Sequence, residues 1–188
     1  MKKYLFPLLL VLVIGCNKQQ TKPQANTEQT LNSNYKNNVS LLISVEKKDG
    51  TTVPNFSWSD STGKKISFSE ATKGKPVLLN FWATWCGPCR KEIPDLIALS
   101  DEYKTKGAIV IGISADRGSD ALQVVSDFTK EFSLTYPIII DNGDLEEAFG
   151  GLRGYPTTFY IGKNGQVVKK LVGLQSKEIF VKEFNAIL

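Results

Sequence analysis

Two continuous apolar segments with a helical pattern between them constrain the fold of this chain most strongly. The first is PVLLNFWA (76–83), and the second is GAIVIGISAD (107–116). Apolar runs of this length are typical of parallel strands that are buried on both faces. Between them, the segment from Cys86 to Lys106 has apolar residues at helical spacing, with Gly107 just past its end. A strand, a helix and a strand of these lengths predict a βαβ unit.

Further segments extend this unit on both sides. Before it, residues 54–70 alternate apolar and polar residues around a Ser-Thr-Gly turn, which predicts a β-hairpin. After it, the pattern predicts a helix, a short strand, a short helix, a second hairpin and a final amphipathic helix. The corresponding sequences are DALQVVSDFTKEFSL, YPIIID, GDLEEAFGG, TTFYIG with QVVKKLVG, and SKEIFVKEFNAIL. We therefore expect an α/β fold with a mixed central sheet flanked by helices.

The start of the chain predicts a secretory signal. Lys2 and Lys3 precede an apolar run over residues 4–14, which is shorter than the about 20 residues that a membrane-spanning helix needs. A basic end followed by a short apolar centre and a small residue is typical of a signal peptide, here residues 1–15. The sequence VIGC also resembles the lipobox of bacterial lipoproteins, which implies that Cys16 carries lipid. A secreted chain without lipid, or an uncleaved start, is the alternative.

A polar segment follows the predicted lipid-anchor residue. Residues 17–38 are rich in Asn, Gln, Thr and Lys and contain few large apolar residues, so they cannot bury enough surface to fold. We predict a flexible tether over residues 16–51, and a folded domain over residues 52–188. Within the tether, VSLLISVEKK (39–48) either adds a strand or remains part of the tether.

The charge of the chain does not indicate a nucleic-acid partner. The formal net charge is +4, and removing Lys2 and Lys3 with the signal lowers it further. The sequence has no long run of Lys and Arg interleaved with aromatic residues, which binding to phosphates would require. We therefore expect no nucleic-acid partner.

Cys86 and Cys89 are the other two cysteines of the chain, and they are separated by two residues. A disulfide across so short a gap closes almost no loop and hardly changes the entropy of the unfolded chain. Structural disulfides outside the cytoplasm usually join distant segments. Zinc takes about four N or S ligands, and this chain has no histidine and only Cys16 besides the pair. Thiol–disulfide exchange without a metal or another cofactor is therefore the better interpretation.

A helix that begins between the two cysteines gives them different roles. At a helix N-terminus, unpaired N–H groups and the helix dipole favour a thiolate at Cys86. Cys89 lies one turn further along the same face and is expected to be less exposed. Cys86 would then attack a substrate disulfide, and Cys89 would resolve the mixed disulfide. Gly87 lets a partner chain approach closely, and Pro88 is tolerated in the first turn.

The motifs FWATWCGPC and GYPTTFYIG resemble those of the thioredoxin superfamily. With the signal, the lipobox-like cysteine and the sequence CRKEIP, the chain is most similar to the membrane-anchored TlpA/ResA type over about residues 52–188. This resemblance implies a lipid-anchored thiol–disulfide oxidoreductase of the cell envelope, outside the cytoplasm. Its expected partners are a membrane-embedded electron donor and oxidised substrate proteins. Members of this type often serve cytochrome c maturation.

The resemblance also assigns roles to residues outside the cysteine pair. Pro156 is implied to follow a cis peptide bond and to face the cysteines. Its position would place the backbone of Tyr155 beside Cys86, where an extended substrate segment could pair with it. We also expect Trp82 and Trp85 to pack around the site, which is compatible with their being core residues. The predicted substrate-binding residues are Trp85, Gly87, Pro88 and Tyr155.

Two positions near the cysteines bear on proton transfer. Ordinary thioredoxins have a buried aspartate where this chain has Asn80. Glu92 corresponds to the glutamate of the C-x-x-C-x-x-E pattern of the ResA type. Our hypothesis is that Glu92 is partly desolvated and moves the proton of Cys89 during exchange. The alternative is a solvated helix glutamate with no role in catalysis.

Two other functions are carried as alternatives. The interval from Cys89 to Pro156 is longer than in minimal thioredoxins, and the inserted helix and strand that we predict there are a mark of the TlpA/ResA type. Peroxiredoxin-like proteins share such an insertion, and residues 55–70 resemble the start of their fold. They attack peroxide with a thiolate in a different local motif, so WCGPC argues against this function. A copper or haem chaperone on the same scaffold is the second alternative, and the absence of histidine argues against it.

Overall fold

The computed structural model describes residues 38–46, 52–59 and 62–188. The predicted signal peptide, Cys16 and most of the predicted tether lie outside these ranges. Within them there are eight strands and five helices, and none of the helices is long and apolar enough to cross a membrane. The strands are β1 (Val39–Glu46), β2 (Asn55–Ser59), β3 (Lys65–Ser67), β4 (Val77–Trp82), β5 (Ile109–Ser114), β6 (Ile138–Ile140), β7 (Thr157–Ile161) and β8 (Val167–Val172). The helices are α1 (Phe68–Ala71), α2 (Gly87–Lys104), α3 (Ala121–Glu131), α4 (Asp144–Ala148) and α5 (Lys177–Asn185).

The sheet is mixed, with strand order β3-β2-β1-β6-β5-β4-β7-β8. Strands β1, β6, β5 and β4 run parallel, β7 is antiparallel to β4, and β8 is antiparallel to β7. Strands β2 and β3 form the predicted hairpin and extend the sheet beyond β1. The predicted α/β fold is therefore confirmed. The helix α3 and the strand β6 are the predicted insertion before Pro156.

The segment Val39–Glu46 is a strand and not a tether. Its first residues pair in parallel with β6, and from Leu42 onwards it pairs antiparallel with β2. Val39 is almost fully buried. The predicted domain boundary at Thr52 is therefore wrong, because the sheet already includes β1. The local sequence pattern is compatible with a strand and with a tether, because β6, one of the two partners of this strand, lies far away in the sequence.

The short helix α1 is not predicted from the sequence, because a single turn leaves no periodic pattern. Ser67 caps its start: the Ser67 Oγ accepts a hydrogen bond of 3.3 Å from the backbone N–H of Glu70 and donates one of 2.8 Å to the Glu70 carboxylate. This reciprocal pair resembles a capping box and satisfies one of the free N–H groups at the helix start.

Strand β4 is buried on both faces, as its continuous apolar run predicts. Val77, Leu79 and Phe81 pack in one core cluster, which contains the β2–β3 hairpin residues. Leu78 and Trp82 pack in the other cluster, which contains the buried face of α2. Side chains alternate along a strand, so Asn80 also lies on the α2 face. A polar side chain is thereby buried between the central strand and the helix that follows it.

Candidate active site

The two cysteines lie just beyond the carboxyl end of β4 and are joined by a disulfide with an S–S distance of 2.07 Å. Cys86 is the N-cap of α2, and its Sγ accepts a hydrogen bond of 3.2 Å from the backbone N–H of Cys89. The predicted helix start between the cysteines is therefore confirmed. Cys86 is 6% exposed and Cys89 is 1% exposed, so Cys86 is the one that a substrate can reach more readily.

The start of α2 suits a thiolate. Pro88 lies in its first turn, where its missing N–H leaves no backbone hydrogen bond unmade. No acidic residue lies in this turn. The partial positive charge of the helix N-terminus is thus not neutralised, and it stabilises negative charge on Cys86 when the disulfide is reduced.

The peptide bond between Tyr155 and Pro156 is cis, as the resemblance implies. The next residue, Thr157, pairs with Phe81 of β4, so this loop lies beside the strand end that leads into the cysteines. The ring of Tyr155 meets the ring of Trp85 edge-on, with centroids 5.8 Å apart and an interplanar angle of 80°. The structure therefore brings the loop before β7 against the residue that precedes Cys86.

Glu92 is buried on the inner face of α2, where it is only 1% exposed. Its Oε1 accepts a hydrogen bond of 2.8 Å from the Asn80 side-chain amide, and its Oε2 accepts one of 3.4 Å from the backbone N–H of Gln175. The Asn80 amide also donates to the Thr158 Oγ1 at 3.0 Å. The alternative of a solvated helix glutamate is therefore wrong.

Burial raises the pKa of Glu92 to about 7. The hydrogen bonds from Asn80 and from the Gln175 N–H oppose this effect, and the nearby Asp95 adds to it. A carboxyl group with such a pKa is protonated in part of the population at neutral pH. It can therefore accept or release a proton where an ordinary glutamate is fully ionised.

Asp116 is a buried residue near the cysteines that the sequence motifs do not indicate. Its carboxylate accepts hydrogen bonds from the Thr84 backbone N–H at 3.0 Å and from the Thr84 hydroxyl at 2.6 Å. The Ser114 hydroxyl donates to the same carboxylate at 2.8 Å. Because β4 and β5 are parallel, Asp116 follows β5 at the same edge where Thr84 follows β4. This carboxylate fixes the chain two residues before Cys86.

Exposed apolar side chains belong to two segments that contact the loop containing Pro156. Trp85, whose ring contacts Tyr155 of this loop, is 67% exposed. Val172 is 49% exposed and Leu174 is 47% exposed. The residue between them, Gly173, donates its N–H to the Pro156 carbonyl at 2.8 Å. We call Trp85, Val172 and Leu174 the apolar rim.

Among the residues that the structure describes, no group of three or more His, Cys, Asp or Glu side chains is arranged to hold a metal ion.

Comparison with known proteins agrees with this geometry. The sequence model of the AhpC/TSA family matches residues 50–170. The thiol-disulfide oxidoreductase ResA of a Bacillus cereus strain is 43% identical over 129 residues, which cover 69% of this chain and 72% of that protein.

Two solved structures are also similar. A thiol:disulfide interchange protein of the thioredoxin family from Chlorobium tepidum has a TM-score of 0.65 and 34% identity, and the match covers 74% of this chain and 97% of that one. The pneumococcal exposed lipoprotein thioredoxin from Streptococcus pneumoniae has a TM-score of 0.60 and 27% identity over 70% of this chain and 98% of that one. The chain belongs to the AhpC/TSA family of thioredoxin-like proteins and is a thiol–disulfide oxidoreductase of the ResA type.

Proposed function

We propose that this oxidoreductase acts outside the cytoplasm as a lipid-anchored reductase of protein disulfides. The observation that carries the proposal is the disulfide at the start of α2 together with the buried Glu92 carboxyl one helical turn further on. Once it is reduced, the cysteine pair can pass two electrons to a substrate disulfide, and the Glu92 carboxyl can accept the proton that Cys89 loses.

The reaction begins with the reduced pair. The Cys86 thiolate attacks one sulfur of the substrate disulfide, that disulfide breaks, and the other substrate sulfur leaves as a thiolate that takes a proton. Cys89 then loses its proton, and its thiolate attacks the Cys86 sulfur. The second substrate sulfur leaves, and the Cys86–Cys89 disulfide forms. Two electrons pass to the substrate, and a membrane-embedded donor restores the dithiol.

Glu92 is the proposed acceptor of the Cys89 proton. The two residues are three positions apart in α2, so they share a helix face, and each is only 1% exposed. Water is therefore scarce around the Cys89 thiol, and a local base is needed. A carboxyl group with a pKa of about 7 is matched to this task near neutral pH.

The apolar rim supports a protein substrate. Exposed apolar side chains grouped beside a reactive centre are typical of surfaces that bind another chain. An oxidised envelope protein would place its disulfide over Cys86 and its neighbouring apolar residues on Trp85, Val172 and Leu174. Substrates that serve cytochrome c maturation are one such class.

The location is supported by the signal pattern of residues 1–15 and by the lipobox-like VIGC. The similar pneumococcal structure is described as an exposed lipoprotein. Labelling cells with a radioactive fatty acid tests the anchor: the wild-type chain should take up label, and Cys16→Ser should not. Equal labelling of both chains would contradict an anchor at Cys16.

Trapping in living cells tests the reductase function. Cys89→Ser leaves Cys86 able to attack but removes the resolving thiol, so substrate proteins should accumulate as mixed disulfides on Cys86. Cys86→Ser is the matched control, and it should trap none because Cys89 is buried. The proposal fails if Cys89→Ser traps no envelope protein, or if both variants trap the same proteins.

Peroxide reduction is the second candidate function, because the matching family model is that of the AhpC/TSA family. The reduced protein can be mixed with hydrogen peroxide, and peroxide consumption followed. We expect no consumption above that of Cys86→Ser. Rapid consumption that depends on Cys86 would favour the peroxide reductase instead.

A further inference from the structure

We propose that Glu146 and Arg117 are positioning residues for the Tyr155–Trp85 aromatic pair, and that this pair makes the enzyme favour protein disulfides over small ones. The inference rests on the proposed reduction of protein disulfides and extends it to residues outside the cysteine motif. Glu146 and Arg117 belong to the part of the chain between α2 and β7.

The Tyr155 side chain contacts Glu146. The Tyr155 hydroxyl donates a hydrogen bond of 2.8 Å to the Glu146 Oε2. Burial, together with this contact to Glu146, raises the pKa of Tyr155 to about 12. The phenol therefore keeps its proton at neutral pH, and the hydrogen bond to the carboxylate persists. A hydrogen bond to a charged acceptor is among the stronger ones in proteins.

An ion pair with Arg117 holds the Glu146 side chain. Arg117 lies 3.3 Å from the same Oε2 through its Nη2. Its Nη1 donates to the Asp141 carbonyl at 2.7 Å, and its Nη2 lies 3.3 Å from the Asp141 carboxylate. Arg117 is thus held at the end of β6 and offers a fixed charge to Glu146.

The helix α4, which contains Glu146, is fixed by hydrogen bonds at its start. The buried Asp141 carboxylate accepts backbone hydrogen bonds from Gly143, Leu145 and Glu146 at 3.0, 3.0 and 3.1 Å. These bonds satisfy N–H groups at the start of this short helix. Glu146 is therefore fixed through its backbone by Asp141 and through its side chain by Arg117.

Tyr155 connects Glu146 and Arg117 to the apolar rim. The Tyr155 ring contacts Trp85 edge-on, and Trp85 is the most exposed member of the apolar rim and directly precedes Cys86. The disulfide itself is held by other contacts, namely α2 and the Asp116–Thr84 hydrogen bonds. Loosening Tyr155 should therefore change the surface that a protein substrate meets and leave the reactive sulfur in place.

Steady-state kinetics with two disulfides test this inference. Insulin serves as the protein disulfide, and 5,5′-dithiobis(2-nitrobenzoate) serves as the small one. For Tyr155→Phe and Glu146→Ala, we expect the KM for insulin to rise by about three- to tenfold, as for the loss of one hydrogen bond, with kcat little changed. The rate with the small disulfide should stay within about twofold of wild type.

Two further variants serve as a rescue and as a control. Glu146→Gln retains an acceptor for the Tyr155 hydroxyl and should recover most of the insulin affinity. Glu131→Ala removes an exposed carboxylate at the end of α3, away from these contacts, and should leave both reactions unchanged. Thermal unfolding of each variant shows whether it is folded, and Tyr155→Phe alone decides the test if Glu146→Ala is not.

Three results would overturn the inference. One is an equal loss of rate with insulin and with the small disulfide, which would assign Tyr155 to the reactive centre. Another is an unchanged KM for insulin in both Tyr155→Phe and Glu146→Ala. The third is a wild-type enzyme that does not reduce insulin but does reduce the small disulfide, which would also remove the proposed protein-disulfide function.

Discussion

The side-chain amide of Asn80 donates a hydrogen bond of 2.8 Å to the carboxyl group of Glu92. This contact joins the middle of β4 to the second turn of α2. Ordinary thioredoxins have an acid on the strand at this position. Here the acid is on the helix, and the strand supplies the amide that holds it. The buried carboxyl beside the cysteines therefore lies one helical turn beyond Cys89 and not on the strand.

The stability of the oxidised enzyme should depend on the ionisation of Glu92. Burial raises the pKa of this carboxyl from 4.5 to about 7, so the folded state binds its proton more tightly than the unfolded state. The resulting stabilisation is fully present below pH 4.5 and is lost as the pH rises through about 7. From the size of the shift, the loss is about 3 kcal/mol.

Urea unfolding of the oxidised protein at pH 5 and at pH 8 measures this effect. Relative to Glu92→Gln, which does not ionise, the wild type should lose about 2.5 kcal/mol between these two pH values, because part of the stabilisation is already lost at pH 5. Glu102→Gln, at an exposed position of the same helix, is the control and should follow the wild type. If the difference in the free energy of unfolding between wild type and Glu92→Gln is the same at pH 5 and at pH 8, Glu92 has an ordinary pKa.

Asn80→Asp should raise the pH at which the Glu92 site loses its proton. The substitution replaces a hydrogen-bond donor by a second carboxyl. Two buried carboxyls in contact share one proton, and the pair loses this proton only at a pH well above the pKa of either group alone. The pH dependence of the resolving step should therefore shift upward relative to wild type. A profile equal to that of the wild type would mean that Asn80 does not act on Glu92.

Much of this site follows from the sequence, and the remainder depends on how distant elements pack. Local spacing predicts the cysteine pair at the helix start, and the predicted partial burial of Glu92 is consistent with its place in the structure. From the sequence, Asn80 indicates only a missing acid. Its contact with Glu92 depends on which face of β4 meets α2, and a local pattern does not contain that information.

The same reason explains why other supporting residues are not predicted. Asp116 reaches Thr84 only because two parallel strands end at one edge of the sheet. The local pattern does not decide between strand and tether for β1, because its partner β6 lies in a part of the chain far from it.

Asp116→Asn should slow exchange with every disulfide, in contrast to Tyr155→Phe. An amide cannot accept all three hydrogen bonds that the carboxylate accepts from Thr84 and Ser114, so a buried donor is left without a partner. We expect a loss of about 1–3 kcal/mol in the free energy of unfolding. Rates with insulin and with the small disulfide should fall together.

The exposed Asp120→Asn provides the control for this variant, and it should leave both rates and stability unchanged. Full stability and full rates in Asp116→Asn would contradict a role for Asp116 in fixing the segment before Cys86.

Gly112→Ala should destabilise the central sheet. A Cβ atom at this position would lie 2.6 Å from the Ile138 Cδ1 and 2.9 Å from the Trp82 Nε1. Both side chains are almost fully buried and have little space to move. Overpacking of this kind costs about 1–3 kcal/mol. Urea unfolding measures the loss, and Gly154→Ala, where a Cβ meets no atom within 4 Å, is the control. Equal stability of the two variants would show that the contact relaxes freely.

The most direct test of the account is the pH dependence of the resolving step in the wild type and in Glu92→Gln. The reduced enzyme reacts with 5,5′-dithiobis(2-nitrobenzoate) and releases two coloured thiolates, the first on attack by Cys86 and the second on attack by Cys89. In the wild type, the second release should accelerate as the pH rises through about 7, where Glu92 becomes able to accept the proton. In Glu92→Gln, that inflection should disappear and the second release should slow by up to the roughly 100-fold that a general base contributes, while the first is unchanged. A second release with the same rate and the same pH profile in both proteins would contradict the assignment of Glu92 as the proton acceptor of Cys89.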